Sequence, residues 1–342
     1  MRLNEIWRSN YITNMGRQHD ELEKTLKTYL NVNNLLLFNN GTTALILGLK
    51  ALDLKGEVIT TPFTFPATLE ALDWCGLKPV FCDIDKNTLN IDIKKIEKKI
   101  NKNTTAILAV HVFGNPCEVY EIDEIAKKYN LKVIYDGAHI FGSTFDKRSL
   151  GSFGDMTMFS FHATKIFHTV EGGALAFKDD VYAKKLKMLR NFGISDSGEI
   201  LLSGINAKLN EIQAAIGLEV LKMFDLEKNK RLIIKKIYED NLKDIDGIKF
   251  YTDKSSSQQY FVVGIDEKDF GISRDFLYEK LKKYNIYTKK YFSPLCSTFN
   301  WYSDLETAKK ENLLVANKVV NEVIALPFYG DLNEDEIKRS VI

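Results

Sequence analysis

The sequence predicts an α/β protein, a mostly parallel sheet with helices on both faces, followed by a smaller C-terminal α+β domain. Two observations carry this. From Leu35 to about Phe177, apolar strand-like runs alternate with helical stretches, the pattern of parallel strands joined by crossover helices. From about Asp225 a long charged helix opens a region of different rhythm, so the chain divides into a large domain at 1–225 and a small one at 226–342. With 342 residues, 45% of them hydrophobic, both can bury sizeable cores.

The first strand, Leu35-Leu36-Leu37-Phe38, runs into Asn39-Asn40-Gly41-Thr42-Thr43 and then a helical run to Leu52. A strand, a glycine turn and a helix start make an anion site, because free N–H groups and the helix dipole favour a phosphate, with the Thr hydroxyls adding donors. An ordinary N-cap has the same signature, and the spacing of a P-loop is absent. Next, Glu57-Val58-Ile59 leads into Thr60-Thr61-Pro62-Phe63-Thr64-Phe65-Pro66-Ala67-Thr68, rich in hydroxyls and aromatics, where Phe65 is placed either to lie on a planar ring or to fill core. Ala106 to Val112 reads as a strand, Val119 to Tyr129 as a helix, and Leu131 to Tyr135 as a buried strand ending at Asp136-Gly137-Ala138-His139. That puts a carboxylate at the carboxyl end of a strand, where open α/β sheets bind ligands. In the last third, Phe261 to Gly264 reads as a strand and Arg274 to Tyr284 as a helix, while Lys222 to Lys236 carries apolar residues at helical spacing and reads as a solvated helix face.

The chemistry centres on Phe159-Ser160-Phe161-His162-Ala163-Thr164-Lys165, followed by Glu171-Gly172-Gly173. A lysine among small and hydroxyl residues can tether an aldehyde cofactor when its amine is able to lose a proton, and pyridoxal phosphate is held by lysine in this way. One lysine among 47 Lys and Arg residues decides nothing, so its partners matter. Asp136 is placed either to pair with a protonated pyridine nitrogen or to cap the turn that follows, His139 either to bond a phenolic oxygen or to serve as an ordinary core or surface histidine, and Ser160 to donate to a phosphate.

Taken together these motifs resemble the DegT/DnrJ/EryC1/StrS sugar aminotransferases, pyridoxal-phosphate enzymes of the aspartate aminotransferase (type I) fold. The resemblance runs almost end to end. Besides the runs above it covers Pro79-Val80-Phe81-Cys82-Asp83-Ile84-Asp85, Gly154-Asp155, Gly204-Ile205-Asn206-Ala207-Lys208 with Gln213-Ala214-Ala215, and Leu326-Pro327-Phe328-Tyr329-Gly330. It implies that Lys165 carries the cofactor, Asp136 faces the ring nitrogen, His139 the ring oxygen and Phe65 the ring face. Gly41, Thr42, Thr43 and Ser160 would form the phosphate cup. Asn206 would reach the cofactor of a neighbouring subunit, which implies a homodimer with shared sites. His162, Lys208, Lys289, Lys290 and Tyr291 are the candidates for holding substrate.

Two features depart from the family. Met1 stands only six residues before Trp7, a short leading segment, and Ala207-Lys208 replaces the Tyr-Arg of many relatives. The latter, with Phe38 to Thr42 and Ser160 to Lys165, resembles the subgroup acting on dTDP-linked keto-6-deoxyhexoses. Enzymes forming 4-amino-4,6-dideoxyglucose for surface glycans (O-antigen, lipopolysaccharide) match best, with L-glutamate as amino donor, and the 3-amino enzymes follow. Three rivals are a dehydratase of the same family, in which histidine replaces the lysine, a non-catalytic binder of cofactor or sugar nucleotide, and an amino-acid isomerase of the same fold class. Lys165 speaks against the first two.

Composition sets the remaining expectations. With 46 acidic residues nearly balancing 47 basic ones, no nucleic-acid partner is expected. Cys75, Cys82, Cys117 and Cys296 form no CxxC pair, and His111 and His168 stand alone, so neither a metal site nor a disulfide framework is expected. No apolar run suggests a membrane span or signal core, and a cytoplasmic location is expected.

Overall fold

A computed structural model describes residues 2–252 and 256–340. Its strands, in chain order, are β1 (Asn34–Phe38), β2 (Glu57–Thr60), β3 (Lys78–Phe81), β4 (Thr104–Val110), β5 (Lys132–Asp136), β6 (Thr144–Phe145), β7 (Arg148–Ser149), β8 (Met156–Ser160), β9 (Gly173–Phe177), β10 (Ile248–Phe250), β11 (Phe261–Ile265) and β12 (Val323–Leu326). The helices are α1 (Arg2–Ser9), α2 (Arg17–Tyr29), α3 (Gly41–Ala51), α4 (Pro66–Trp74), α5 (Ile93–Ile96), α6 (Val119–Tyr129), α7 (Val181–Leu189), α8 (Glu211–Leu242), α9 (Glu267–Phe270), α10 (Arg274–Lys283), α11 (Leu314–Val319) and α12 (Glu334–Arg339).

Seven strands form the main sheet in the order β1-β9-β8-β5-β4-β2-β3. The pairs β8–β5, β5–β4, β4–β2 and β2–β3 are parallel, and their strands are buried on both faces, as the apolar runs predict. The exception is β9, antiparallel to both β1 and β8. Residues 161–172 between β8 and β9 contain no helix, and without a crossover the chain can only return antiparallel. That loop carries Lys165.

Register sets the site. Phe38 pairs with Gly173 and Gly173 with Ser160, while Val110 pairs with Asp136 and Asp136 with Met158. Ser160 and Asp136 therefore stand at the same end of the sheet, the carboxyl end of the parallel strands, next to the turn that follows β1. Gly173 permits the closeness. A Cβ there would lie 2.5 Å from the Asn40 carbonyl carbon and 2.6 Å from the Gly41 nitrogen. Gly173→Ala is expected to destabilise the protein by about 1–3 kcal/mol, since backbone must move to relieve the overlap. Denaturant unfolding measures it, and an unchanged midpoint would contradict the packing described.

One face of the sheet is covered by α3, α4 and C-terminal segments including Tyr251, Val262, Leu295 and Tyr302 in a single apolar core. The other is covered by α2, α6 and an aromatic group of Phe141, Phe159, Phe161 and Phe167. The long charged helix starts earlier than its charge pattern indicates, at Glu211, because Asn210 caps it by accepting the Gln213 N–H at 2.9 Å. Along α8, Ala214, Leu218 and Phe224 join the sheet core, whereas Ile234, Tyr238 and Leu242 join a separate core with the three-stranded antiparallel sheet β10-β11-β12.

Candidate active site

The anion cradle is built first. Asn40 caps α3, its side chain accepting the Thr43 N–H at 2.8 Å, which leaves the Gly41 and Thr42 amides in the first turn without helical acceptors. Ser160, at the end of β8, faces this turn. A Cβ on Gly41 would sit 3.0 Å from Met158 Sδ and 3.2 Å from Ser160 Cβ, so glycine lets the turn approach the end of β8 closely. Gly41, Thr42 and Ser160 all line one cavity of about 390 Å³. Thr43 does not. Its hydroxyl is held by Asn39 and Asn40, so it shapes the turn instead of facing the cup as expected.

Asp136 lies on the floor of the same cavity, 5% exposed. Its Oδ2 accepts the Thr68 hydroxyl at 2.7 Å and its Oδ1 the Ala138 N–H at 3.0 Å; Thr68 in turn bonds Thr64 at 2.7 Å. Burial pushes the carboxyl above its ordinary range, while Thr68, the Ala138 amide and the Lys165 charge pull it down. A cation on the open side would favour the carboxylate form, as a protonated ring nitrogen does.

Lys165 keeps some exposure as a residue, but its amine is enclosed. Burial lowers its pKa, opposed by Asp136 and Tyr291, which favours the neutral, nucleophilic amine. Nζ lies 3.4 Å from the Tyr260 hydroxyl. His139 packs parallel to Phe113 and Phe292 and edge-on to Tyr260. Its Nδ1 accepts the Phe113 N–H at 3.2 Å and burial holds the ring neutral, so Nε2 carries the proton that it can donate into the cavity. Phe65, preceding Pro66 at the start of α4, lines the cavity yet is 59% exposed, as a ring awaiting a flat partner would be. His162 stands at the rim with Nε2 3.5 Å from Glu171.

The substrate candidates separate. Lys289 and Tyr291 line this cavity and also a second, more open one of about 800 Å³ beside Lys165, walled by Tyr287, Phe328 and the Glu219–Arg231 face of α8. Lys290 turns away, its ammonium 3.0 Å from Asp275 and over the Tyr278 ring, because neighbours on an extended segment point to opposite sides; the expectation that it lines the site is corrected. Asn206 and Lys208 line neither cavity. Asn206 is exposed, and Lys208 bonds Asn191 at 2.8 Å above the Phe192 ring.

Several residues of the site were not singled out in the sequence. Thr64 and Thr68 gave a signal, the hydroxyl-rich run after β2, and Phe292 stands beside the candidate Tyr291, whereas Gln259 and Tyr260 belong to a segment whose composition is that of any core edge. The residues fit pyridoxal phosphate: an open cup for a phosphate, a buried carboxylate for a ring nitrogen, an imidazole donor for a ring oxygen and a lysine whose pKa burial lowers. Ser160→Ala is expected to weaken cofactor retention about 10- to 100-fold, the loss of one hydrogen bond to a charged group. Equilibrium dialysis measures it, and wild-type retention would remove Ser160 from the cup.

The chain is similar to known aminotransferases along its whole length. The model of the DegT/DnrJ/EryC1/StrS aminotransferase family matches residues 1–342. A dTDP-4-amino-4,6-dideoxy-D-glucose transaminase of Escherichia coli is 44% identical over 343 residues, 98% of this chain and 92% of its own. The crystal structure of DesI in the presence of its TDP-sugar product superposes with a TM-score of 0.94 at 34% identity, covering 99% of this chain and 87% of DesI. NtdA from Bacillus subtilis with bound cofactor PMP gives 0.91 at 29% identity, covering 99% and 79%. The chain belongs to the DegT/DnrJ/EryC1/StrS aminotransferase family and has the type I fold of pyridoxal-phosphate-dependent aminotransferases.

Proposed function

We propose that the protein transfers the amino group of L-glutamate to dTDP-4-dehydro-6-deoxy-D-glucose, giving dTDP-4-amino-4,6-dideoxy-D-glucose and 2-oxoglutarate. The observation that carries the reading is the meeting of Lys165, Asp136 and the Gly41–Ser160 cup in one cavity, beside a second cavity large enough for a sugar nucleotide. The 44% identity to the E. coli transaminase supports the choice of sugar.

Bound with its phosphate on Gly41, Thr42 and Ser160, pyridoxal phosphate supplies an electron sink and a temporary carrier for the amino group. Asp136 holds a proton on the ring nitrogen, and His139 Nε2 donates to the ring oxygen. Phe65 covers the ring face, a contact that contributes about 0.5–1.5 kcal/mol beyond burial. In each half-reaction the Lys165 amine would move a proton between the substrate carbon and the cofactor, taking it from one and delivering it to the other. Burial, which lowers its pKa, favours the uncharged amine that can accept that proton. Lys289 gives the larger cavity a fixed positive charge for the diphosphate, with Tyr291 and His162 near the sugar.

The working unit in this reading is a homodimer in which Asn206 and Lys208 of each subunit serve the site of the other. The exposure of Asn206 and the absence of both residues from the lining of the two cavities support this, as do the exposed Phe192, Ile200, Leu201 and Ile205 around them. Residues 1–225 then form the cofactor domain and 226–342 the smaller one, supported by the change of core along α8. Among the described residues no helix is long and apolar enough to cross a membrane, and we place the reaction in the cytoplasm, supplying amino sugar for a surface glycan such as O-antigen lipopolysaccharide.

The test is incubation with L-glutamate and, separately, dTDP-4-keto- and dTDP-3-keto-6-deoxyhexoses, with the product carbon assigned by NMR. Amination of the 4-keto sugar is expected. Amination of the 3-keto sugar alone would replace the proposal with the 3-amino reading, and no amination of either would favour a binding role.

A further inference from the structure

We propose that Gln259 is the positioning residue of the reaction, its carboxamide fixing the backbone on both sides of Lys165 and so aiming the lysine amine. The inference rests on Lys165 being the residue that carries the cofactor. Gln259 Oε1 accepts the Ile166 N–H at 2.8 Å, and its Nε2 donates to the Thr164 carbonyl at 3.0 Å. Those two groups belong to the two peptide planes that meet at the Lys165 Cα. One amide therefore restrains both φ and ψ of that residue, as a neighbouring strand would.

The loop needs such a partner. Residues 161–172 contain no helix or strand, and apart from this amide the backbone at Lys165 has one local bond, its N–H to the His162 carbonyl at 2.8 Å. Gln259 is 4% exposed, so the restraint is shielded from water, and its own N–H is held by the Ser257 hydroxyl at 3.3 Å. The next residue, Tyr260, meets the far end of the same lysine at Nζ. The segment entering β11 thus grips Lys165 at its backbone and at its amine, and ties the small sheet to the reacting group. A buried glutamine merely filling space would have no reason to bond both neighbours of a single residue.

The test uses the protein without cofactor first. Competitive acetylation across a pH series, read on the Lys165 peptide by mass spectrometry, gives the amine's titration midpoint. Gln259→Met preserves length and removes both bonds. We expect the midpoint to rise toward that of exposed lysines, and, in the loaded enzyme, kcat to fall about 10- to 100-fold with KM for the keto sugar little changed. A folded Gln259→Met protein with wild-type midpoint and kcat overturns the proposal. Should that variant fail to fold, Gln259→Glu decides, because it keeps an acceptor for the Ile166 N–H but sets an oxygen against the Thr164 carbonyl. A displaced midpoint and reduced kcat support the proposal, and wild-type values overturn it. The midpoint needs no cofactor, so it stands apart from the functional reading, which full turnover by Lys165→Ala would sink instead.

Discussion

Lys165→Ala is expected to lower turnover about 10,000-fold or more and to remove the visible absorbance of the lysine-bound cofactor, with the fold retained. Two roles end together: the covalent attachment, and the proton transfer at Nζ, itself worth about 100- to 10,000-fold. The substitution removes an amine whose charge burial already disfavours and whose nearest hydrogen-bond partner is the Tyr260 hydroxyl at 3.4 Å. Little packing is lost, so circular dichroism and melting should match the wild type. Steady-state transamination checks the claim, and full activity would show that another group carries the chemistry.

The second large effect is expected for Asp136→Asn, about 100- to 1,000-fold in kcat, as for removal of one preorganised electrostatic partner. Asparagine keeps the shape and the acceptor for the Ala138 N–H, but has no charge to hold a proton on a ring nitrogen. Stability should move the other way. The folded-state pKa of Asp136 is raised above its ordinary value, by burial most of all. The native protein without cofactor therefore holds this proton to higher pH than the unfolded chain does. Stability falls as pH rises from the unfolded pKa through the folded one, and above that window the ionised, buried carboxylate is a net cost. Asp136→Asn removes this dependence, so the variant without cofactor should be at least as stable as wild type at neutral pH. Denaturant unfolding at neutral pH measures it, and a clear loss of stability would show that Thr68 and Ala138 more than offset the burial.

Much of this architecture is written locally in the sequence. The buried strands announce themselves as apolar runs, and Asp136 and Ser160 are placed by register at strand ends that such runs define. The cup could be read because Asn40, Gly41 and Thr42 do their work within one turn. Thr43 and Lys290 show where local reading fails: a hydroxyl or an ammonium has two directions open to it, and Thr43 turns to Asn39 and Asn40 in its own turn, while Asp275, distant in sequence, holds Lys290. Gln259 and Tyr260 were illegible for the same reason. They reach Lys165 across more than ninety residues, and only the folding of β11 toward the lysine loop brings them there. The antiparallel β9 was hidden in a loop whose lack of helix is visible but whose consequence is topological.

The central claim is that Lys165, Asp136 and the Gly41–Ser160 cup form one aminotransferase site. Its most direct test is the absorbance spectrum of the purified protein with pyridoxal phosphate, recorded alone, after L-glutamate, and after a pulse of dTDP-4-keto-6-deoxyglucose. The account predicts a lysine-bound cofactor band that disappears with glutamate and returns with the keto sugar. A protein that develops no such band, or whose band ignores both substrates, would contradict it.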